Sequence, residues 1–203
     1  MTERPIRVLL ACDRPAVSHG LEGILAANPD IEVVANSPTL DAAIEAAIET
    51  QPDVVVVDDH LSPASGVETC RAIRDACPSV RALLLVSAGG ATALTATALA
   101  GATGYVIRDL NTTLIQDAVI DAGHGRTLYD PDRTADLLHR LHELATDGRR
   151  DRDLWRSPAL AGVLDLVGAG LSDHEIGEQL DIPVETVRDA VKSLVATLPA
   201  LRR

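Results

Sequence analysis

Phenylalanine is missing from this 203-residue chain, and one tryptophan and two tyrosines are its only aromatic residues. With 46% hydrophobic residues a sizeable core can still form, and it must be aliphatic. Cysteine is scarce. Cys12, Cys70 and Cys77 contain no C-x-x-C pair, and an odd count without that spacing argues against a disulfide framework and against a zinc site. They read as reduced, mostly buried thiols. No apolar run approaches the ~18 residues a membrane helix needs. The opening MTERPIRVLL also lacks the basic start and cleavage site of a signal peptide, so a cytoplasmic protein with no membrane partner is expected. Lysine is nearly absent too: Lys192 is the only one, and arginine supplies every other base. The net charge of −12 repels nucleic acid unless bases are gathered locally.

The first 126 residues alternate strand and helix signals. Strands are expected at Ile6–Ala11, Ile31–Val34, Val54–Val57, Ala82–Val86 and Tyr105–Ile107. Helices are expected after Pro15, at Leu40–Ile48 with Thr39 as N-cap, at Val67–Ala76, at Ala91–Ala100, and from an Asn111 cap through Ala122. Five βα units with continuous apolar strands imply an α/β, flavodoxin-like, doubly wound parallel five-stranded sheet covered on both faces. Arg133–Leu144 reads as an amphipathic helix and DGRRDRD (147–153) as a charged linker. From Ser157 the pattern is purely helical. The expected division is a receiver-like domain over 1–126, a helical linker over 127–156 and a small all-α helix-turn-helix domain over 157–203.

In doubly wound sheets, ligands sit beyond the carboxyl ends of the strands. With strand order 2-1-3-4-5, Asp13, Asp58, Ser87 and Arg108 converge there. Two carboxylates can hold a hard divalent cation, and a hydroxyl and a guanidinium can hold a phosphoryl group. An aspartate beside Mg²⁺ can accept that group. Asp59, next in an alternating strand, is expected to be a solvated loop acid.

The stretches RVLLACDRP, PDVVVVDDHLSPASG, LLLVSA and GATGYVIRD resemble the receiver domain of bacterial two-component response regulators. The resemblance implies that Asp58 is the phosphoacceptor, at the family's spacing from Gly66. It makes Asp13, Asp58 and the backbone carbonyl of His60 the metal ligands, Ser87 the switch hydroxyl and Tyr105 the switch aromatic. Arg108 stands where the family has lysine, a change of reach and geometry. Cys12 replaces the first acid of the usual pair and weakens Mg²⁺ binding. Pro63 comes one residue late. Together these departures point to a degenerate receiver. Asp58 is then either a retained acceptor or a vestige, and vestige is favoured because a pocket needs all of its groups.

Other constellations are weaker. His139 and His142 lie one helical turn apart, but no further ligand completes a metal set. Cys12 as a redox sensor is disfavoured, because neighbouring acids raise a thiol's pKa. Trp155 reads as a packing anchor.

Within 157–203, Ser172 and Glu175 form a capping box, and Asp181-Ile182-Pro183 makes a tight turn before a longer helix over Val184–Leu198. Val187, Val191 and Leu194 are its expected core positions. GLSDHEIGEQLDIPVETVRDAV is similar to the LuxR-type DNA-binding domain of NarL/FixJ-type regulators. That similarity implies Glu185, Thr186, Arg188, Asp189 and Lys192 at the DNA groove. The region carries seven acids against four bases, so one copy alone should bind DNA poorly. The reading is an atypical, non-enzymatic response regulator: a promoter-binding homodimer that pairs through the fourth helix, fifth strand and fifth helix. Its input is a sensor kinase acting on Asp58, or a small-molecule or protein ligand. The alternative is a non-DNA-binding interaction or ligand-sensing protein acting through the receiver-like domain.

Overall fold

A computed structural model describes residues 4–108, 112–128 and 158–197. The expected helix over 133–144, the linker, His139, His142, Trp155 and the Asn111 cap all lie outside the described residues.

Five parallel strands, β1 (Ile6–Ala11), β2 (Ile31–Ser37), β3 (Val54–Asp58), β4 (Arg81–Val86) and β5 (Gly104–Ile107), form one sheet in the order β2-β1-β3-β4-β5. The helices between them are α1 (Pro15–Ala26), α2 (Leu40–Thr50), α3 (Gly66–Ala76), α4 (Ala91–Ala100) and α5 (Thr112–Gly123). β1 and β3 pair in register from Val8↔Val54 to Ala11↔Val57. Because side chains alternate across a strand, this register sorts the core into two layers. Leu9, Ala11, Val55, Val57, Leu84 and Val86 face the α2–α4 side. Val8, Leu10, Val54, Val56, Leu83 and Leu85 pack with residues of α1 and α5 on the other side. Each fully buried leucine or valine contributes about 1.5–3 kcal/mol, which explains how a core without phenylalanine suffices.

Local chemistry sets the helix ends. The Thr39 hydroxyl accepts the Ala42 N–H at 3.3 Å at the start of α2. Ser65 and Glu68 make a capping box on α3 that the sequence reading missed. Gly66 is obligatory here: a Cβ at this position would lie 2.5 Å from the Asp58 carbonyl oxygen. The close approach lets α3 begin directly beneath the end of β3.

Three further helices follow: α6 (Pro158–Gly168), α7 (Asp173–Leu180) and α8 (Val184–Thr197). The Ser172–Glu175 capping box starts α7, and Asp181, at φ 54°, makes the turn into α8. Val187, Val191 and Leu194 are fully buried, with Val163, Leu164, Val167 and Ile176 opposite. This small core is continuous with the α2–α4 layer of the sheet. α6 and α8 pack on α4, and α7 and α8 pack on α3.

Candidate functional site

The carboxyl rim of the sheet gathers Cys12, Asp13 and Arg14 after β1, Asp58 and Asp59 at the end of β3, and Arg108 after β5. Asp58 is 1% exposed. A buried carboxylate persists only if its oxygens are fully partnered, and here both are. Oδ2 accepts from Arg14 Nη2 at 2.5 Å and from the Cys12 thiol at 3.2 Å. Oδ1 accepts from the His60 N–H at 3.1 Å and from Arg108 Nη2 at 3.1 Å. Burial alone would raise the Asp58 pKa. The bonds from Arg14, His60 and Cys12, with the Arg108 charge, overcome it and hold the carboxyl below the ordinary range.

Asp13 Oδ2 accepts the Ser62 N–H at 3.1 Å, whereas its Oδ1 is buried without a hydrogen-bond partner. Ligand atoms of Cys12, Asp13 and Asp58 all lie within 4.8 Å of one another, so three candidate metal-ligating groups meet here. Burial pushes the Cys12 thiol up to about 11, a pKa unlike that of a reactive cysteine. His60 presents its backbone to the pocket while its side chain is exposed. Ser87 stands exposed just past β4 on the same rim. Tyr105 is half-buried on β5, with its ring beside Gly89.

One expectation is corrected. Asp59 is not a solvated loop acid: Arg108 Nη2 bridges Asp58 and Asp59, reaching Asp59 Oδ1 at 3.0 Å. Burial, with the Asp58 charge beside it, raises the Asp59 carboxyl.

A second polar cluster, absent from the sequence reading, lies where α3 meets the C-terminal helices. Arg71 and Asp173 are each 2% exposed and pair at 2.5 Å. Arg71 also donates to Leu99 O at 3.0 Å and to Leu171 O at 3.1 Å, joining α3, α4 and the entry to α7. The Asp173 N–H donates to Asp75 Oδ1 at 3.1 Å. The groove-facing candidates Glu185, Thr186, Arg188, Asp189 and Lys192 all lie exposed on α8. Two of them already have receiver partners. Arg188 lies 3.6 Å from Asp75 and 3.7 Å from Asp173, and Lys192 lies 3.8 Å from Glu68. A cleft of about 320 Å³ opens between α2, α3 and α8, with Asp41, Glu68, Arg71 and Arg188 among its walls.

Residues 8–120 match the family model described as "Response regulator receiver domain". The chain belongs to the NarL/FixJ-type response regulators. This response regulator is 31% identical to the DNA-binding transcriptional activator DevR/DosR of Mycobacterium tuberculosis, over 98% of this chain and 90% of that one. It is 27% identical to the transcriptional regulatory protein LnrK of Bacillus subtilis, over 95% and 90% of the two chains. Among solved structures, a LuxR-family two-component response regulator from Aurantimonas sp. SI85-9A1 superposes with a TM-score of 0.59 at 28% identity, covering 67% of this chain and 97% of that one. The response regulator ChrA of a heme-sensing two-component system gives 0.54 at 25% identity, covering 98% and 99%.

The rim residues Arg14 and Asp59, and the seam residues Arg71, Asp75 and Asp173, were missed as functional positions. Arg71 left one usable signal, because it interrupts the apolar face Val67, Cys70, Ile73 of α3.

Proposed function

We propose that this response regulator is a DNA-binding transcriptional regulator whose receiver is degenerate and whose DNA-facing helix is held against that receiver until a signal parts them. The carrying observation is α8. Its groove-side candidates Glu185, Thr186, Arg188, Asp189 and Lys192 form one exposed row on a capped helix pair. The two bases of that row, Arg188 and Lys192, are engaged by receiver acids. DNA phosphates and those acids compete for the same cations. Separation of α8 from α3 would release Arg188 and Lys192. It would also uncover α4, on which α6 and α8 now rest. The α4-β5-α5 face could then pair two copies, doubling the phosphate contacts that a single acidic domain lacks. The relative named as a DNA-binding transcriptional activator supports this reading over nearly the whole chain.

The test is fluorescence polarisation of the full chain with fragments of its own upstream region, at low and moderate salt. Binding that falls steeply with salt and is lost in Arg188→Ala/Lys192→Ala is the expected result. No binding at any salt by a chain that dimerises would defeat it. A binding module without DNA affinity would then be the better account, with the cleft walled by Asp41, Glu68, Arg71 and Arg188 as its ligand site.

On the input side, Asp58 is a vestige in this reading. Mg²⁺ at the rim would have Asp13 and Asp58 as oxygen ligands with the His60 carbonyl, and Cys12 sulfur is a poor third donor for a hard cation. Incubation with acetyl phosphate and Mg²⁺ followed by intact-mass measurement should show no phosphoryl adduct. An adduct that disappears in Asp58→Asn would overturn the vestigial assignment.

A further inference from the structure

Arg14 occupies an unusual station. It is the residue before Pro15, and a residue before proline is confined to extended backbone; its φ of −100° and ψ of 107° are extended. Proline at the first position of α1 has no N–H to cap, and the Arg14 side chain makes no capping bond. The side chain instead turns back over the β1–α1 loop, and Nη2 meets Asp58 Oδ2 at 2.5 Å.

We infer that the Arg14 guanidinium is the resident cation of this pocket, standing where the receiver family places a divalent metal, so that the Asp58 site is charge-balanced and closed to Mg²⁺. The inference rests on the receiver reading. Asp13 and Asp58 contribute two negative charges to the rim, and Arg14 and Arg108 contribute two positive ones. A dication added to that set would leave an uncompensated double charge in a pocket with little water, which is costly. The donors do not fit Mg²⁺ either. That ion demands about six oxygens in near-octahedral array and gives up water reluctantly. Both Asp58 oxygens are committed, Oδ2 to Arg14 and Cys12 and Oδ1 to His60 and Arg108. Asp13 Oδ2 is held by the Ser62 N–H. Asp13 Oδ1 is the single buried acceptor of the rim without a hydrogen bond, and one free oxygen does not make a site. Cys12 offers a soft sulfur instead of the missing oxygen. Two substitutions of opposite kind thus reinforce one another: an acid is lost at Cys12 and a cation is gained at Arg14.

Mn²⁺ is the probe, because the electron paramagnetic resonance signal of the free aqua ion falls as it binds. The full chain is compared with Cys12→Asp, Arg14→Ala, the double variant Cys12→Asp/Arg14→Ala, and Cys12→Asp/Arg14→Gln as a bulkier replacement. Circular dichroism checks each for native helix content. The wild-type chain should leave Mn²⁺ free through the millimolar range. Both double variants should bind at least roughly tenfold more tightly, and Cys12→Asp alone should stay near wild type because Arg14 still fills the place. Wild-type binding that vanishes in Asp58→Asn would overturn the inference. So would Cys12→Asp binding as tightly as the doubles, or folded doubles that bind no better than wild type. Loss of DNA binding with these results intact removes only the regulator reading. Mn²⁺ held by a DNA-binding wild type removes only this one.

Discussion

Asp58 and Asp173 are equally buried, and each meets an arginine at 2.5 Å, yet the two pairs differ in what surrounds the arginine. The Arg14 side chain that faces Asp58 is 40% exposed, whereas the Arg71 side chain that faces Asp173 is 2% exposed. Water screens the first pair and hardly reaches the second. The first ties one loop of the receiver to the end of a neighbouring strand. The second ties the receiver to the helices that carry the DNA-facing row, across a hundred residues of chain. The tighter electrostatic hold is therefore at the seam between the two halves and not in the phosphoacceptor pocket.

Arg71→Ala is the harshest way to break that contrast. It leaves Asp173 as a buried charge with one distant cation and strips the Leu99 and Leu171 carbonyls of a donor. Truncating one partner of a buried pair costs about 3–5 kcal/mol. Since the lost contacts cross the seam, part of that cost should appear as separation: a larger radius of gyration in solution scattering and tighter DNA binding by polarisation. Arg71→Met/Asp173→Leu sharpens the point, because an apolar pair of similar volume should restore much of the stability. Unchanged scattering in Arg71→Ala would mean that the apolar contacts of α6 and α8 with α4 hold the halves together alone.

Asp58→Asn comes next. It keeps the shape of the side chain, weakens the bonds from Arg14 and Arg108, and should cost about 1–3 kcal/mol. Scattering should stay as in the wild type, because none of its direct partners lies in α6, α7 or α8. An Asp58→Asn chain as open as Arg71→Ala would show that pocket and seam are coupled, against the reading of Asp58 as a vestige.

The sequence showed one of these regions and hid the other, for a physical reason. Asp58 sits at the end of VVVV, and a strand that terminates on a carboxylate at a sheet rim is a local pattern. So are Thr39 before α2 and the Ser172–Glu175 box, and both caps are seen. The helix-turn-helix core Val187, Val191, Leu194 follows from helical periodicity alone. Arg71 and Asp173 are far apart in sequence, and each is an ordinary polar residue on its own helix. Only tertiary packing makes them partners, and no periodicity encodes that. Asp59 was misjudged because strand alternation was extended past the end of β3, where the chain turns and Arg108 reaches across. Arg14 was passed over as a loop residue, although Pro15 behind it restricts its backbone.

Arg14→Ala is a milder probe of the pocket. With a half-exposed guanidinium the loss should be about 1 kcal/mol at most, and smaller at high salt. A denaturation midpoint that falls as far as in Arg71→Ala would erase the distinction between a screened pair and a dry one.

Asp75→Asn should have the smallest effect, and its sign discriminates most finely. Asp75 Oδ1 accepts the Asp173 N–H, while Oδ2 is buried without a hydrogen bond, 3.6 Å from Arg188. Burial, then the neighbouring Asp173 charge, raises the Asp75 carboxyl above its ordinary value. An acid raised in the folded state binds its proton more readily there than in the unfolded chain. Its ionisation therefore removes stability as pH rises from the ordinary carboxylate value through the raised one. Asparagine keeps the acceptor and carries no charge. Near neutral pH the substitution should thus shift stability by less than about 1 kcal/mol. As the pH is lowered toward the ordinary carboxylate range, the wild type should gain on Asp75→Asn in urea midpoints. A gap that stays flat or reverses would mean that Arg188 compensates Asp75 fully. The seam would then be held by a second strong ion pair, and Arg71 would not be its main fastening.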